Sequence, residues 1–235
     1  MASISGRRGA GVFKPAEIIV ASSVKPGARP GDAYGVCSNA LKHGIRSVCI
    51  PTAYLREVAV LAKNTGLKVS TMISFPTGLM PVELKIMEMR FAAEQGVEEA
   101  YFYPNVGDYL DSRIIEFEWE LSRIAEESQL TGLKNVKPVV ETSLVSEKQL
   151  REMLSIFKTS GFDTVVVSSG FGLKAMSPED LRLLNTVDEP ITIEAHCRVV
   201  SLQDVLNLVE NRVCRLCTLD YTVVSEEASQ RRFEE

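Results

Sequence analysis

Two short runs of the chain carry side chains that could do chemistry. Glu194, His196 and Cys197 stand close together, and a carboxylate, an imidazole and a thiol can act as orienting acid, base and nucleophile in covalent catalysis. Cys214 and Cys217 form a CxxC pair, which is typical of a redox couple or of half a zinc site. These runs define the first chemical hypotheses for the chain.

Both runs also have a structural interpretation, which we favour. Adjacent strand residues point to opposite faces, so His196 and Cys197 do not meet easily, whereas Glu194 and His196 share a face and can form an interior ion pair. The chain contains no second CxxC, so Cys214 and Cys217 are interpreted as partly buried free thiols. We therefore expect neither a bound metal nor a cofactor.

The composition excludes several functional classes. The 235 residues are 45% hydrophobic and 24% charged, which is enough apolar surface for a folded core. The formal net charge of −5, without a basic stripe, argues against nucleic-acid binding, and no apolar run approaches the ~18 residues of a membrane span. Five cysteines in a chain too large to need disulfides favour a reducing compartment, so the expected location is the cytoplasm.

The elements that would position these side chains are eight short apolar runs. Each is rich in β-branched or aromatic residues and nearly continuous in hydrophobicity, which indicates parallel strands covered on both faces. The runs are Glu17–Ser23, Ser47–Pro51, Lys68–Ser74, Glu99–Asn105, Lys137–Ser143, Asp163–Ser169, Ile191–His196 and Arg215–Asp220. Segments with helical spacing separate them, so the sequence predicts a single-domain α/β fold, a TIM (β/α)8 barrel, with a doubly wound open sheet as the alternative.

The intervening segments show helical periodicity and start signals. One apolar stripe, in a helix expected from Asp108 to Glu127, consists of Leu110, Ile114, Phe117, Leu121 and Ile124. Capping boxes predict helix starts at Ser146, Ser177 and Ser201. Residues 1–16 are basic, contain no acid and are interpreted as a flexible N-terminal arm, which leaves 17–235 for the barrel.

The helix expected from Asp108 to Glu127 also carries a dense set of acids around the single tryptophan, Trp119. A solvated face is the preferred interpretation of such a charge run. An exposed Trp119 that anchors a partner protein is the alternative, because tryptophan is enriched among the residues that dominate binding energy.

A set of ordered motifs gives the chain a family resemblance. They are Phe75-Pro76-Thr77-Gly78 followed by Glu83 and Lys85, then Glu141-Thr142-Ser143-Leu144, then Ser168-Ser169-Gly170-Phe171. In this order and spacing they resemble the 2-deoxyribose-5-phosphate aldolases, and the similarity extends from about Ile18 to Tyr221. The resemblance implies a TIM barrel and a class I aldolase reaction, in which a lysine forms a Schiff base with a sugar phosphate.

The same resemblance implies that the reactive residues of the family are replaced here. The Schiff-base lysine corresponds to Val166, and the second lysine, which tunes the first, corresponds to Glu194. The proton-transfer aspartate corresponds to Tyr101, and the aspartate of the first strand corresponds to Val20. A lysine nucleophile must lie inside the barrel and be deprotonated near neutral pH. The sequence therefore predicts that the covalent step has no nucleophile.

The phosphate site implied by the resemblance is also altered. Its Gly-Gly pair after the seventh strand is Cys197-Arg198 here, its Ser-Ser pair after the eighth is Leu219-Asp220, and Gly170 alone persists. A carboxylate at Asp220 about 5 Å from a phosphate would repel it by roughly 6 kcal/mol at an effective dielectric constant near 20. Phosphate binding is therefore expected to be lost unless Arg198 neutralises the site.

We expect a catalytically inactive relative of these aldolases with a protein-binding or regulatory role, as a monomer or a homodimer. Glycolytic aldolases, which are also TIM barrels, bind filamentous actin, so a cytoskeletal partner is a candidate by analogy. The main alternative is an active class I aldolase that uses a relocated lysine, of which Lys174 is the first candidate. A third hypothesis is a non-covalent enzyme that uses Glu194, His196 or Tyr101 on another ligand.

Overall fold

The chain folds into a closed barrel of eight parallel strands, as the sequence predicts. The computed structural model describes residues 14–168, 171, 178–185 and 190–234. The strands are β1 (Ile19–Ser22), β2 (Ser47–Cys49), β3 (Lys68–Ile73), β4 (Glu99–Phe102), β5 (Asn135–Val140), β6 (Thr164–Val167), β7 (Thr192–His196) and β8 (Val213–Thr218). Each strand pairs with its neighbours in sequence, and β8 closes the barrel on β1.

Helices surround the barrel and connect successive strands. They are α1 (Pro30–Lys42), α2 (Leu55–Thr65), α3 (Val82–Glu94), α4 (Val106–Leu110), α5 (Ile114–Thr131), α6 (Glu147–Thr159), α7 (Pro178–Asn185), α8 (Leu202–Glu210) and α9 (Tyr221–Glu234). Capping boxes begin α6 at Ser146 and α8 at Ser201, which confirms two of the three predicted helix starts, while Ser177 lies outside the described residues. None of the helices among the described residues combines the length and apolar character needed to cross a bilayer.

One predicted helix is wrong in its bounds. The segment expected as a single helix from Asp108 to Glu127 is divided into α4 and α5, because Ser112 has a φ of 59° and the chain turns there. Leu110 consequently belongs to α4 and is exposed. Phe117 on α5 is buried in the core between the helices and the outer side of the barrel strands.

The predicted division into a 1–16 arm and a 17–235 barrel stays a prediction, because residues 1–13 lie outside the described part of the chain. A 3-10 helix, Pro15–Glu17, leads into β1, and Pro15 is buried. The chain is therefore already packed on the barrel two residues before the predicted boundary.

The strands are apolar on both faces because two separate cores lie on either side of the barrel wall. The larger core packs the outward strand residues against the helices. The smaller core fills the barrel interior, and its buried members are Val20, Val24, Cys49, Met72, Tyr101, Tyr103, Val139, Val166 and Cys217. This interior core includes three of the positions at which the sequence predicts that reactive residues have been replaced.

A buried ion pair fixes the connections that follow β3 and β4. Lys85 on α3 is fully buried, and its ammonium contacts Glu120 on α5 and donates to the carbonyl oxygens of Gly78 and Tyr103, the latter at 2.9 Å. Glu120 also accepts a hydrogen bond from the Asn105 amide at 2.8 Å. Burial lowers the pKa of Lys85, and the charge of Glu120 opposes that shift. The Phe-Pro-Thr-Gly and lysine motif therefore has a structural function.

Gly78 lies where the two connections approach most closely. Its φ is +70°, and a β-carbon built on it would lie 2.2 Å from the carbonyl oxygen of Pro104. A side chain at this position would both strain the backbone and push the two connections apart.

We expect Gly78→Ala to lower the free energy of unfolding by about 3 kcal/mol, because left-handed strain and a backbone clash add. Gly132→Ala is the matched control, since Gly132 has a φ of +74° but open space around its β-carbon position. The control should cost about 1 kcal/mol, the strain alone. Urea unfolding of the two variants measures both values, and equal losses would contradict the assigned clash.

Candidate functional site

The position of the expected Schiff-base lysine lies in the barrel interior. Val166 on β6 is fully buried and packs in the interior core with Tyr101 and Val139. It pairs in register with Val139 on β5 and with Glu194 on β7. The predicted positions Val166, Glu194 and Tyr101 are therefore brought together in the barrel, together with Val20 on β1, and the side chain at 166 has no nucleophilic atom.

Two rings fill the interior volume beside this position. The rings of Tyr101 and His196 meet edge to face, with centroids 4.2 Å apart and an interplanar angle of 85°. Tyr101 is fully buried, and its hydroxyl donates to Glu99 at 3.2 Å. Burial and the charges of Glu99 and Glu194 raise the pKa of Tyr101 well above its usual range. Tyr101 is therefore a neutral packing group here and not a general base.

The barrel also holds one inward-pointing lysine that the sequence analysis placed only at a strand start. Lys137 on β5 is buried, and its ammonium lies 2.7 Å from Glu194 and 2.9 Å from Glu99. Its Nζ also lies 5.5 Å from the centroid of the Tyr101 ring. Two carboxylates within hydrogen-bond distance stabilise the charged ammonium, and an ammonium has no lone pair with which to attack a carbonyl.

Arg215 on β8 completes this group. It donates to both carboxylate oxygens of Glu99, at 2.8 and 2.7 Å, and lies 3.8 Å from Glu194. Glu99, Lys137, Glu194 and Arg215 thus form a charge tetrad with two cations and two anions. Burial alone would raise the pKa of Glu99, but the charges of Arg215 and Lys137 hold it below its ordinary value.

The tetrad shows that one predicted contact is wrong. Glu194 was expected to pair with His196, but it pairs with Lys137, because Lys137 reaches it across the barrel from a strand two positions away. Neither ring nitrogen of His196 has a hydrogen-bond partner among the described residues. Alternation along β7 places both side chains inside, where Glu194 pairs with Lys137 and the His196 ring packs against the Tyr101 ring.

The cysteines near His196 do not provide a nucleophile. Burial raises the pKa of Cys197 to about 12 and that of Cys217 well above its usual range, so both are thiols near neutral pH. Cys214 and Cys217 are free, as predicted from the lone CxxC. No group of three or more potential ligands for a metal ion occurs within the described ranges.

At the carboxyl ends of β7 and β8, an internal carboxylate lies where the resemblance implies a phosphate. Asp220 makes a two-point contact with the Arg198 guanidinium, with an Nη2 to Oδ1 distance of 2.8 Å, and accepts from the Val199 amide at 3.3 Å. Arg198 therefore neutralises the site, as the sequence analysis allowed, but its partner is Asp220. Leu219 provides no hydroxyl, and Gly170 lies outside the described residues.

Glu99 and Arg215 are interior charged residues that were not predicted from the sequence, and neither was a cleft that they line. The cleft, of about 810 Å³, opens at the amino-terminal end of the barrel and reaches Glu99 and Arg215 between the ends of α2 and α3. The alternation of charges with apolar residues at the starts of β4, β5 and β8 was the available signal. TIM-barrel reactions occur at the opposite, carboxyl end, so the cleft does not extend the candidate site.

Comparisons with known proteins identify close relatives. The deoxyribose-phosphate aldolase of Desulfitobacterium hafniense is 30% identical over 196 residues, which cover 83% of this chain and 89% of the relative. That of Caldicellulosiruptor saccharolyticus is 29% identical over 214 residues, 90% of this chain and 97% of the relative. No protein-family model matches the chain.

Solved structures agree with these relatives. The chain matches QR15, described as an aldolase, with a TM-score of 0.86 and 22% identity over 94% of this chain and 99% of the other. It also matches the deoxyribose phosphate aldolase of Aeropyrum pernix, described as tetrameric, with a TM-score of 0.82 and 23% identity over 92% and 91% of the two chains. At this identity the structural matches establish the barrel fold.

We expect Lys137→Met to lower the free energy of unfolding by about 3–5 kcal/mol, because Glu194 and Glu99 would keep buried charge without the ammonium between them. Adding Glu194→Gln to this variant should restore part of the loss, since Arg215 then balances Glu99. Lys148→Met is the control, because Lys148 is exposed and pairs with Glu152 only at 3.7 Å, and it should cost less than about 1 kcal/mol. A loss no larger than that control would show that the tetrad does not exist in solution.

We expect Asp220→Asn to create phosphate binding, because it removes a carboxylate and releases the Arg198 guanidinium and the Val199 amide. Inorganic phosphate at millimolar concentration should then raise the melting temperature of the variant but not that of the native protein. The double variant Asp220→Asn/Arg198→Gln should lose the effect. Phosphate stabilisation of the native protein would contradict the assignment of Asp220 as the internal anion.

Proposed function

The chain belongs to the deoxyribose-phosphate aldolase family, and we propose that it is a member in which the Schiff-base reaction has been lost and a binding role remains. The observation that carries the proposal is the absence of a free amine facing the reaction volume among the described residues: Val166 occupies the expected lysine position, and Lys137 is held between two carboxylates. Imine formation needs an unprotonated amine that touches the sugar carbonyl.

The packing of the interior supports the proposal independently. A sugar phosphate would have to displace Tyr101 and His196, which meet ring to ring beside Val166. Close-packed interiors resist such displacement, because a change of even one methylene is felt. A lysine introduced at 166 would also lie beside Glu194, its neighbour in register, and would gain a carboxylate partner there.

The contacts of Asp220 at the carboxyl ends of β7 and β8 are a third observation that supports the proposal. The Asp220 carboxylate already accepts from Arg198 and Val199, which are the donors that a phosphate would need. Binding the dianion would require this contact to break, and the released carboxylate would repel it. Phosphate binding and imine formation are separate requirements of the aldolase reaction, and neither has its residues here. This favours a change of function over the loss of one catalytic step.

An active class I aldolase with a relocated lysine is the competing proposal, since family membership is compatible with activity. Its first candidate, Lys174, lies outside the described residues. A cytoskeletal partner and a cytoplasmic location stay expectations from analogy and from cysteine content, and so does a monomeric or homodimeric state. The third hypothesis, non-covalent catalysis, has less support because Tyr101 is neutral and Glu194 is engaged by Lys137.

Borohydride trapping tests the proposal. We expect no lysine adduct after incubation with 2-deoxyribose 5-phosphate and reductant, as read by mass spectrometry of the intact chain and its peptides, because no free amine meets the carbonyl. The Caldicellulosiruptor saccharolyticus relative serves as the positive control under the same conditions.

The position of any adduct decides between the alternatives. A substoichiometric adduct spread over exposed lysines is the nonspecific background. The adduct yield lost in Lys148→Met gives the contribution of one exposed lysine to that background. A stoichiometric adduct at Lys174 that disappears in Lys174→Met would restore the enzyme interpretation. An adduct at Lys137 would overturn the account of the tetrad as well.

A further inference from the structure

The outer faces of α3 and α5 carry an unusual set of exposed apolar side chains. We define the α3/α5 face by Met80, Leu84, Met87, Ile115 and Trp119. Exposure is 81% for Ile115, 63% for Met87, 52% for Trp119 and 47% for Leu84. The spacing of Leu84 and Met87 places them along one side of α3, with Met80 just before its first turn, and that of Ile115 and Trp119 places them along one side of α5.

These two stripes lie on neighbouring helices. Lys85 on α3 contacts Glu120 on α5, and one turn further Arg90 donates to both carboxylate oxygens of Glu127, at 2.7 and 2.8 Å. The two pairs hold the helices side by side, so their outer sides are neighbours on the surface. Scattered exposed apolar residues need no explanation, but two adjacent stripes of them are typical of an interaction site.

The region around this face is strongly acidic. Residues 79–131 contain twelve Asp and Glu against four Lys and Arg. Two of these acids, Glu98 and Glu99, pair with Lys134, Lys137 and Arg215 outside this range and do not add to the charge of the face. Its three arginines are each paired locally: Arg90 with Glu127, Arg113 with Asp108 and Arg123 with Glu126. Across the part of the chain that the structure describes, no ion pair reaches Glu83, Asp111 or Glu118. The rim of the face therefore has excess negative charge.

We propose that the α3/α5 face binds a basic amphipathic helix of a partner protein. Such a helix presents apolar residues at i, i+3 or i+4, and i+7, which match the two apolar stripes, and its flanking lysines or arginines match the acidic rim. A second copy of the chain does not match, because two α3/α5 faces would bring like charges together. A membrane with anionic lipids is repelled for the same reason.

The proposal names the partner class for the binding role proposed above, and in that sense rests on it. The two proposals can fail separately, because borohydride trapping tests for an amine in the barrel interior, whereas the experiment below tests binding at an outer helix surface. An acidic cytoskeletal protein is disfavoured as the occupant of this face unless it offers a basic helix.

Trp119 is the only tryptophan of the chain, so its fluorescence reports directly on the face. The full-length protein is titrated with a synthetic amphipathic peptide of leucine and lysine, about 14 residues long so that a helix can form. We expect a saturable blue shift of Trp119 emission that weakens with added salt. A peptide of the same pattern with glutamate in place of lysine is the charge control and should not bind.

Two matched variants locate the site. Met87→Lys should weaken peptide binding by about tenfold or more, because it removes an apolar contact and adds a charge of the same sign as the peptide within the α3/α5 face. Val60→Lys adds the same charge at an exposed position on α2, outside the face, and should weaken binding by no more than about threefold. Equal effects of the two variants, or no saturable shift, would overturn the proposal.

Other occupants give distinct outcomes. A blue shift that grows with protein concentration alone, with dimers in sedimentation that Met87→Lys abolishes, would assign the face to a second copy and overturn the proposal. A shift on adding vesicles of phosphatidylcholine and phosphatidylserine, without a response to the basic peptide, would assign it to a membrane and overturn it equally.

Discussion

The constraint on which the rest of the barrel interior depends is the balance of buried charge around Lys137. Its ammonium lies between Glu99 and Glu194, and Arg215 binds the other side of Glu99. Two cations thus meet two anions in a volume where an unpaired charge would cost several kcal/mol. A lysine at position 194, as the family resemblance implies, would instead place three cations against Glu99. The carboxylate at 194 is therefore the residue that makes the interior neutral once the reactive lysines are absent.

The motifs of the family separate into structural and reactive ones in this chain. The retained motif, with Gly78 and Lys85, fixes the connections after β3 and β4 through Glu120, and its Phe75 packs on Tyr103 at the edge of the interior core. The replaced positions, Val166 and Tyr101, belong to the interior core. Identity near 30% with the relatives is compatible with a changed barrel interior, because fold and chemistry depend on different residues.

The sequence was sufficient for the fold and for bringing Val166, Glu194 and Tyr101 together in the barrel, but not for the contacts that these positions make. Apolar runs that alternate with helical stripes indicate a barrel from local sequence alone. The valine at position 166 can also be read directly from the sequence, because its side chain has no amine. The partner of Glu194 could not be predicted, because Lys137 is 57 positions away and meets it only after β5, β6 and β7 have paired in register. The division of α4 from α5 was missed for a local reason, a positive φ at Ser112 that serine adopts too rarely to be expected.

The measurement that tests the central claim most directly is turnover of 2-deoxyribose 5-phosphate by the purified native protein, followed as release of aldehyde. The account predicts a rate equal to that of the buffer blank at every substrate concentration, because the described residues place no free amine in the barrel on which the imine could form. A saturable rate that follows the protein through purification would contradict it, because an amine of the chain would then have to form the imine with the substrate.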